Sequence, residues 1–295
     1  MDAPRPYGVP PPGFRLPDAT HVGAVHLQIG DLDRSLEYYE GAIGLRVLHR
    51  DASSATLGSH GGERPLVHVH AKAGVQAVSK HGVLGLYHFA ILLPDRAHLG
   101  RFTAHLMRDG RGRVGMADHL VSEALYLWDP DGLGIEVYAD RPRETWRHRD
   151  RELVMAADPL DTESLIGAGG GTAWEGMPAG TTMGHVHLHV GDLPRAEGFY
   201  HAALGLEKTA WTFPGALFMS AGGYHHHLAV NTWSRGSSAR EDQARLLEWE
   251  LLVPDARAAA AAAESLQSSG RAVEDMGTGW RVTDPWGTVM RIQAG

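Results

Sequence analysis

The chain has 295 residues, a formal net charge of −8, no cysteine and 19 histidines. This length accommodates two ordinary domains, each able to bury a core. The negative charge and the lack of a basic run argue against nucleic acid or an anionic membrane as the main partner. Without cysteine, disulfides, thiolate metal sites and cysteine nucleophiles are excluded. No segment resembles a signal peptide or a membrane span, so we predict a cytoplasmic protein.

Two stretches read as irregular connections. Residues 1–20 carry six prolines and predict an extended, polyproline-like N-terminal arm that wraps the surface. Residues 146–183 combine a short helix signal, capped by Asp161, with several glycines, which is typical of a linker. The linker separates two halves of the chain, 21–145 and 184–295.

The two halves repeat the same motifs. Residues 31–45, Asp-Leu-Asp-Arg-Ser-Leu-Glu-Tyr-Tyr-Glu-Gly-Ala-Ile-Gly-Leu, return in similar form as residues 192–206. A Leu-x-Pro-Asp motif and an Asp-Pro-x-Gly turn also recur, at 92–95 and 252–255 and at 129–132 and 284–287. Each repeat has an alternating strand, a helix that begins at aspartate, and shorter strands. We therefore predict an α+β protein of four βαβββ modules, two in each half, starting near residues 22, 86, 184 and 247. The alanine run 258–263 fills the helix of the fourth module.

One predicted hairpin combines a histidine, a tyrosine and a carboxylate. Tyr126 and Glu136 flank the Asp-Pro-Asp-Gly turn, and His119 precedes the first strand. The neighbours Ile135 and Val137 point away from Glu136, as strand alternation requires. A strand can present a metal ligand to a pocket in this way. Taken alone, the stretch is equally consistent with an exposed glutamate beside a common turn.

Equivalent positions in the four modules differ in their capacity to bind metal. Seven residues before the repeated aspartate, the modules in chain order carry Ala24, His88, His185 and Glu248. Four residues after the glycine of the last turn they carry Leu66, Glu136, His227 and Arg291. The two middle modules thus hold ligand types at all four positions, which predicts a metal site between them.

These repeats resemble the vicinal oxygen chelate superfamily, which includes glyoxalases, fosfomycin and bleomycin resistance proteins, and extradiol ring-cleavage dioxygenases. The stretch 119–136 is similar to the extradiol dioxygenase signature, and Gly-Gly-Tyr-His-His-His-Leu-Ala at 222–229 is similar to the strand with that family's catalytic histidine. Residues 86–95 and 138–143 resemble the bacterial catechol-2,3-dioxygenase-like branch. The resemblance implies a glyoxalase-like fold in which paired modules form two half-barrel cups.

The sequence departs from the family in one respect. Two-domain extradiol enzymes take their iron ligands from modules 3 and 4, whereas module 4 here offers Glu248 and Arg291. Module 2 carries the missing residue types. We therefore predict that modules 2 and 3 share the metal cup and that modules 1 and 4 form a second cup without metal. Glu248 becomes a candidate ligand only if modules 3 and 4 pair.

The resemblance implies an iron-dependent extradiol dioxygenase acting on a catechol and O2. His88, Glu136 and His185 would bind Fe(II), with Mn(II) as the alternative, since two histidines and one carboxylate suit both ions. Either His226 or His227 would be the acid–base group. Strand parity admits only one of them: the family pattern favours His226, whereas counting from the glycine favours His227.

Other polar and aromatic residues receive supporting roles. Tyr126 would hydrogen-bond the bound substrate, and His119, His187 and Trp128 would contact it. His189 would line the cup, His225 would lie on the surface or behind the site, and His68 and His70 would bind no metal. Further candidates for the pocket lining are Trp211, Trp233 and Phe218.

Two other functions stay open at this point. A glyoxalase-like lyase or isomerase would use a four-ligand metal, with His227 completing the set. A non-catalytic small-molecule-binding protein, as in bleomycin resistance, would need no metal. The expected partners are a small aromatic diol and O2, with no nucleic acid and no membrane. Neither the particular catechol nor the oligomeric state, a homodimer included, follows from the sequence.

Overall fold

The computed structural model describes residues 7–79, 82–109 and 114–295, which form four consecutive βαβββ modules. Module 1 comprises β1 (His21–Ile29), α1 (Leu32–Tyr38), β2 (Arg46–Arg50), β3 (Ser54–Gly58) and β4 (Pro65–Ala71). Module 2 comprises β5 (Gly85–Leu92), α2 (Arg96–Asp109), β6 (Gly115–Asp118), β7 (Ser122–Trp128) and β8 (Gly134–Asp140). The connection contains a 3-10 turn (Arg143–Thr145), β9 (His148–Arg149), β10 (Glu152–Leu153) and α3 (Thr162–Ala168).

The second half of the chain repeats this order. Module 3 comprises β11 (Thr182–His189), α4 (Leu193–Ala196), β12 (Glu207–Ala210), β13 (Ala216–Ser220) and β14 (Leu228–Asn231). Module 4 comprises β15 (Arg245–Val253), α5 (Ala256–Ser268), β16 (Val273–Asp275), β17 (Trp280–Thr283) and β18 (Val289–Ala294). Short π-helical turns, Tyr39–Ile43 and Glu197–Ala203, extend α1 and α4. The four predicted modules and the alanine-rich helix are confirmed.

The repeated aspartates begin the helices because their carboxylates accept hydrogen bonds from backbone N–H groups that the first helical turn leaves unpaired. Asp31 accepts from the N–H of Arg34 at 2.9 Å. Asp255 accepts from the N–H of Ala258 at 2.8 Å. Asp192 caps α4 in the same way.

The modules pair crosswise between the two halves of the chain. One eight-stranded sheet, the 2–3 sheet, has the order β12-β13-β14-β11-β5-β8-β7-β6. The other, the 1–4 sheet, has the order β16-β17-β18-β15-β1-β4-β3-β2. The central pairs, β5 with β11 and β1 with β15, are antiparallel. The predicted pairing of module 2 with module 3 is therefore confirmed, as is the glyoxalase-like fold.

Alternation along the strands separates the core from the cup. Phe89 and Ile91 of β5 and Ile135 and Val137 of β8 are fully buried in the main hydrophobic core. Side chains between them, such as Glu136, point to the opposite face of the sheet because successive strand residues alternate. Burial of this apolar face, at about 25 cal/mol per Å², is the main force that holds each sheet against its helices.

The N-terminal arm packs on module 3. Val9 pairs with Lys208 through two backbone hydrogen bonds, and the hydroxyl of Tyr7 donates to the carbonyl of Gly223 at 3.2 Å. Leu16 is buried in the main core, so the arm contributes to the core as well as covering the surface. Among the described residues, no helix is long and apolar enough to cross a lipid bilayer.

Candidate metal centre

Three neighbouring strands of the 2–3 sheet bring His88, Glu136 and His185 together. Ala90 on β5 is the register partner of both Glu136 on β8 and His185 on β11. His88, two residues before Ala90, points to the same face. The small side chain of Ala90 leaves the space between the three larger groups open, so their polar atoms converge over it.

The donor atoms of this triad lie within 4.8 Å of one another, and all three residues are buried. His88 Nε2 and His185 Nε2 lie 3.0 and 3.2 Å from the same oxygen, Glu136 Oε2. The approach of His88 Nε2 does not meet hydrogen-bond geometry, and this buried nitrogen has no hydrogen-bond partner among the residues that the structure describes. An unpaired buried nitrogen is costly unless a ligand satisfies it.

These positions fit a metal ion. Two ligands at right angles, each about 2.1 Å from an ion, lie about 3 Å apart, which is close to both imidazole–carboxylate separations. Two histidines and one carboxylate are the ligand set typical of non-haem Fe(II), and they leave coordination positions open. Among the described parts of the chain, this is the one group of three or more such side chains close enough to hold an ion.

Burial sets the charge of the triad. It lowers the pKa of His88 and His185 below the ordinary imidazole value, which keeps their nitrogen lone pairs available for a metal. Burial opposes ionisation of Glu136, but the two imidazoles beside its carboxylate, His185 and His88, outweigh it and hold the pKa of Glu136 well below its usual value. The triad is thus two neutral donors and one anion.

A cavity of about 170 Å³ adjoins the triad. Its walls are mainly aromatic and aliphatic, and a segment of the linker, residues 155–157, closes one side. The aromatic lining consists of Tyr87, Tyr126, Phe213, Phe218 and Trp233. A planar ring of modest size fits such walls better than a charged or extended ligand does.

Tyr126 and His119 reach this cavity as a hydrogen-bonded pair. Tyr126 lies opposite Glu136 in the β7–β8 ladder, and its hydroxyl is 2.5 Å from His119 Nε2. His119 Nδ1 lies 2.6 Å from the carbonyl oxygen of Ala156. A carbonyl only accepts, so His119 Nδ1 carries a proton, and in the neutral imidazole Nε2 then accepts from Tyr126. His187, another predicted contact, also lines the cavity.

The structure distinguishes the two adjacent candidate histidines. His226 lines the cavity, and its ring centroid is 4.0 Å from that of His185. His227 does not line the cavity: its Nδ1 accepts a hydrogen bond from the N–H of Ala221, and its ring packs on Tyr224. Both residues precede β14 (Leu228–Asn231), and the irregular backbone there places His226 in the cup, as the family pattern indicates.

Counting from Gly223 identified the wrong equivalent of Glu136 in module 3. The parallel pairing of β11 with β14 sets His187 opposite Ala229, as Ala90 is opposite Glu136 in module 2. Ala229, not His227, therefore occupies the position that corresponds to Glu136. The irregular turn before β14 breaks the count, because a loop does not conserve residue spacing.

Some predicted positions are not supported. Trp128 pairs with Gly134 at the end of the hairpin and is not part of the cavity lining. Trp211 packs partly buried against the main core and does not line the cavity either. His225, expected either on the surface or behind the site, is fully buried and lies behind the cavity residue His226, which it contacts through Nδ1. Phe218 and Trp233 do line the cavity.

Other cavity residues were not predicted. Tyr87 precedes His88 and should face the core by alternation, but the register with β11 shifts between His88 and Leu86. This bulge turns Tyr87 towards the cavity. Phe213 and the linker residues 155–157 carry no sequence motif, and only the folded chain brings them to the site.

The 1–4 sheet has different chemistry at the equivalent positions. The register sets His26 opposite His68 and Glu250 opposite Arg291, so His68, not Leu66, corresponds to Glu136 in module 1. Glu248, the counterpart of His185, lies 2.7 Å from Arg291 and 3.3 Å from Arg281. Guanidinium groups thus satisfy this carboxylate, and among the described residues the 1–4 cup holds no group of three side chains close enough to bind an ion.

Fold and site together define a βαβββ-module protein with a candidate metal centre in one cup. The sequence matches the Glyoxalase/Bleomycin resistance protein/Dioxygenase superfamily over residues 20–137 and 182–292, and the chain belongs to this superfamily.

Three individual proteins illustrate the relationship. The chain is 41% identical to a catechol-2,3-dioxygenase of Bacillus subtilis (strain 168) over 271 residues, which cover 90% of this chain and 94% of the relative. A putative dioxygenase from Bacillus subtilis subsp. subtilis str. 168 has a similar fold, with a TM-score of 0.66 at 12% identity over 95% of this chain and 86% of that one. Glyoxalase I from Zea mays also shares the fold, with a TM-score of 0.54 at 17% identity over 94% and 92% of the two chains.

Proposed function

We propose that this protein is a metal-dependent extradiol dioxygenase that uses O2 to open the ring of a catechol next to its two hydroxyl groups. The observation that carries the proposal is the convergence of His88 and His185 on one oxygen of Glu136 beside an aromatic-lined cavity. The 41% identity to a catechol-2,3-dioxygenase supports the same reaction class. The proposed substrates are a small aromatic diol and O2.

His88, Glu136 and His185 would hold Fe(II), or alternatively Mn(II), since both suit this ligand set. The bound ion would act as a Lewis acid on the diol hydroxyls and carry electrons from the ring to O2. The three protein ligands leave room for the diol and O2 side by side. Proximity of this kind reduces the entropic cost of bringing two reactants together.

The surrounding residues orient the diol and move its protons. The aromatic walls hold the ring by apolar contact and exclude water from the triad. The hydroxyl of Tyr126 donates to His119, so its oxygen lone pairs are free to accept a hydrogen bond from a substrate hydroxyl. His226 is the base that accepts a hydroxyl proton of the diol and returns a proton during ring opening.

A four-ligand glyoxalase-like site is less consistent with the geometry. The position in module 3 that corresponds to Glu136 is Ala229, whose methyl group cannot bind metal. His227, the fourth ligand that such a site would need, lies outside the cavity. The open coordination positions that result favour a dioxygenase over a lyase or isomerase.

Anaerobic reconstitution with Fe(II), Mn(II) or Zn(II) tests the proposal. O2 uptake would then be measured with a panel of catechols, together with the absorbance of the ring-opened product. We expect consumption of O2 with a redox-active metal only. Activity with Zn(II) in the absence of air would favour a lyase or isomerase, and no turnover of any diol with any metal would overturn the proposal.

A further inference from the structure

A buried chain of hydrogen bonds leads from the cavity to Asp140 at the end of β8. His226 Nδ1 lies 2.6 Å from His225 Nδ1, and His225 Nε2 lies 3.0 Å from Asp140 Oδ1. His225 is fully buried, whereas the side chain of Asp140 is 27% exposed. The hydroxyl of Tyr224 also donates to Asp140 Oδ1, at 3.1 Å. His226, at one end of this hydrogen-bonded series, faces the candidate site, and Asp140, at the other end, reaches solvent.

The carboxylate of Asp140, at the end of this hydrogen-bonded series, sets the direction of every hydrogen bond between it and His226. An ionised carboxylate only accepts, so His225 Nε2 carries the proton that is donated to Asp140. In a neutral imidazole the other nitrogen is then an acceptor. His225 Nδ1 must therefore accept from His226 Nδ1, and the proton on His226 is on that atom.

This assignment leaves the second nitrogen of His226 unprotonated. His226 contacts His225 through Nδ1, so the edge of the ring that carries Nε2 points away from His225, and His226 lines the cavity. The opposite tautomer would place the lone pair of His225 Nε2 against the carboxylate of Asp140 at 3.0 Å, an arrangement of two acceptors without a proton between them.

We propose that His225 and Asp140 are positioning residues, which hold His226 in the tautomer whose Nε2 lone pair faces the cavity. The inference rests on the proposed function in one respect, namely that His226 accepts a proton from the diol. When it does, the proton leaves the substrate oxygen for Nε2, the ring becomes an imidazolium, and Asp140 stabilises its charge through His225. A base that is already in the right tautomer needs no rearrangement before it reacts.

Nitrogen NMR of the zinc-loaded protein tests the tautomer directly, without turnover. The protein would carry ¹⁵N-labelled histidine, Zn(II) would replace a paramagnetic ion, and His226→Asn would assign the resonances of His226. We expect a protonated Nδ1 and an unprotonated Nε2. A protonated Nε2 on His226, or a His225 protonated on both nitrogens, would overturn the proposal.

Replacement of His225 by Phe tests the same assignment in the metal-loaded enzyme. It removes the acceptor for His226 Nδ1, so we expect loss of the tautomer preference. We also expect kcat to fall by roughly 10- to 100-fold, a part of the roughly 10²- to 10⁴-fold that a positioned base contributes. Metal content should not change. His227→Phe is the matched control. It replaces an adjacent buried histidine that is not part of the hydrogen-bonded series from His226 to Asp140, so it should leave the His226 resonances unaltered.

The outcomes separate this proposal from the proposed function. If the wild-type protein turns over no catechol, the proposed function fails, while the NMR experiment still decides the tautomer. If the wild-type protein is active and His225→Phe keeps both the tautomer and kcat, only the positioning role fails.

Discussion

Tyr39 donates a hydrogen bond to Asp129, 90 positions further along the chain, with 3.1 Å between the two oxygens. The repeat reproduces this contact in the second half, where Tyr200 donates to Asp284 at 2.9 Å. Each bond joins the helical segment of one module to the Asp-Pro-x-Gly turn of the next. The turn motif therefore has a structural role in both halves, in addition to its place in the hairpin that carries Glu136.

The first prediction concerns the pH dependence of stability. Burial, reinforced by the charge of Asp131, raises the pKa of Asp129 to about 7 from an ordinary value of 3.8. Between these values the folded state keeps a proton that the unfolded state has lost. The contribution of Asp129 to the free energy of unfolding should therefore fall as pH rises from about 4 to about 7, by on the order of 4 kcal/mol, and then level off.

Urea unfolding of Asp129→Asn between pH 4 and pH 8 checks this prediction, since the variant should lack that decline. Tyr39→Phe serves as a comparison. It removes a hydrogen bond that lowers the pKa of Asp129, so the decline should extend to higher pH. Identical pH profiles for Asp129→Asn and the wild-type protein would contradict the interpretation.

The second prediction compares two equivalent turn glycines. Gly132 and Gly287 both have positive φ, +87° and +94°, where an alanine costs about 1–3 kcal/mol. A Cβ on Gly132 would also lie 2.0 Å from the carbonyl oxygen of Val78, whereas nothing lies within 4 Å of a Cβ on Gly287. Gly132→Ala should therefore lower the free energy of unfolding more than Gly287→Ala does. Equal losses of the free energy of unfolding in denaturant titrations would show that the backbone near Val78 can shift at little cost.

The third prediction concerns metal retention. Glu136→Gln replaces the one anion of the triad with a neutral amide, so the affinity for a divalent ion should fall by more than the roughly 10- to 100-fold that loss of an outer partner costs. Metal analysis after gel filtration against a weak chelator measures this. Glu248→Gln is the matched control in the 1–4 cup, where the carboxylate contacts arginines. Its metal content should equal that of the wild-type protein.

The fourth prediction separates the two adjacent histidines. His226→Asn should keep the metal and lower kcat by roughly 10²- to 10⁴-fold, because it removes a positioned acid–base group. His227→Asn should keep kcat within about threefold of the wild-type value, since His226 lines the cavity and His227 does not. Steady-state O2 uptake with the best catechol measures both variants. A larger loss in His227→Asn than in His226→Asn would reverse the assignment.

Much of the fold followed from local patterns. Alternating strands, capping aspartates and repeated turns depend on interactions within a few residues, so the four modules could be predicted from the sequence. The triad could also be found, because equivalent positions in repeated modules lie at equivalent places in space. His88 and His185 are such a pair. Module 4 lacks the histidine ligands of the family, and this correctly indicated the crosswise pairing.

Tertiary structure alone decided the remaining features of the cavity. The bulge that turns Tyr87 inward depends on pairing with β11, a strand about 100 residues away. The choice of His226 over His227 depends on an irregular turn, through which residue counts do not carry a register. The linker segment 155–157 closes the cavity by long-range packing. Sequence periodicity determined which residues could meet, and non-local contacts, which have no local signature, determined what surrounds them.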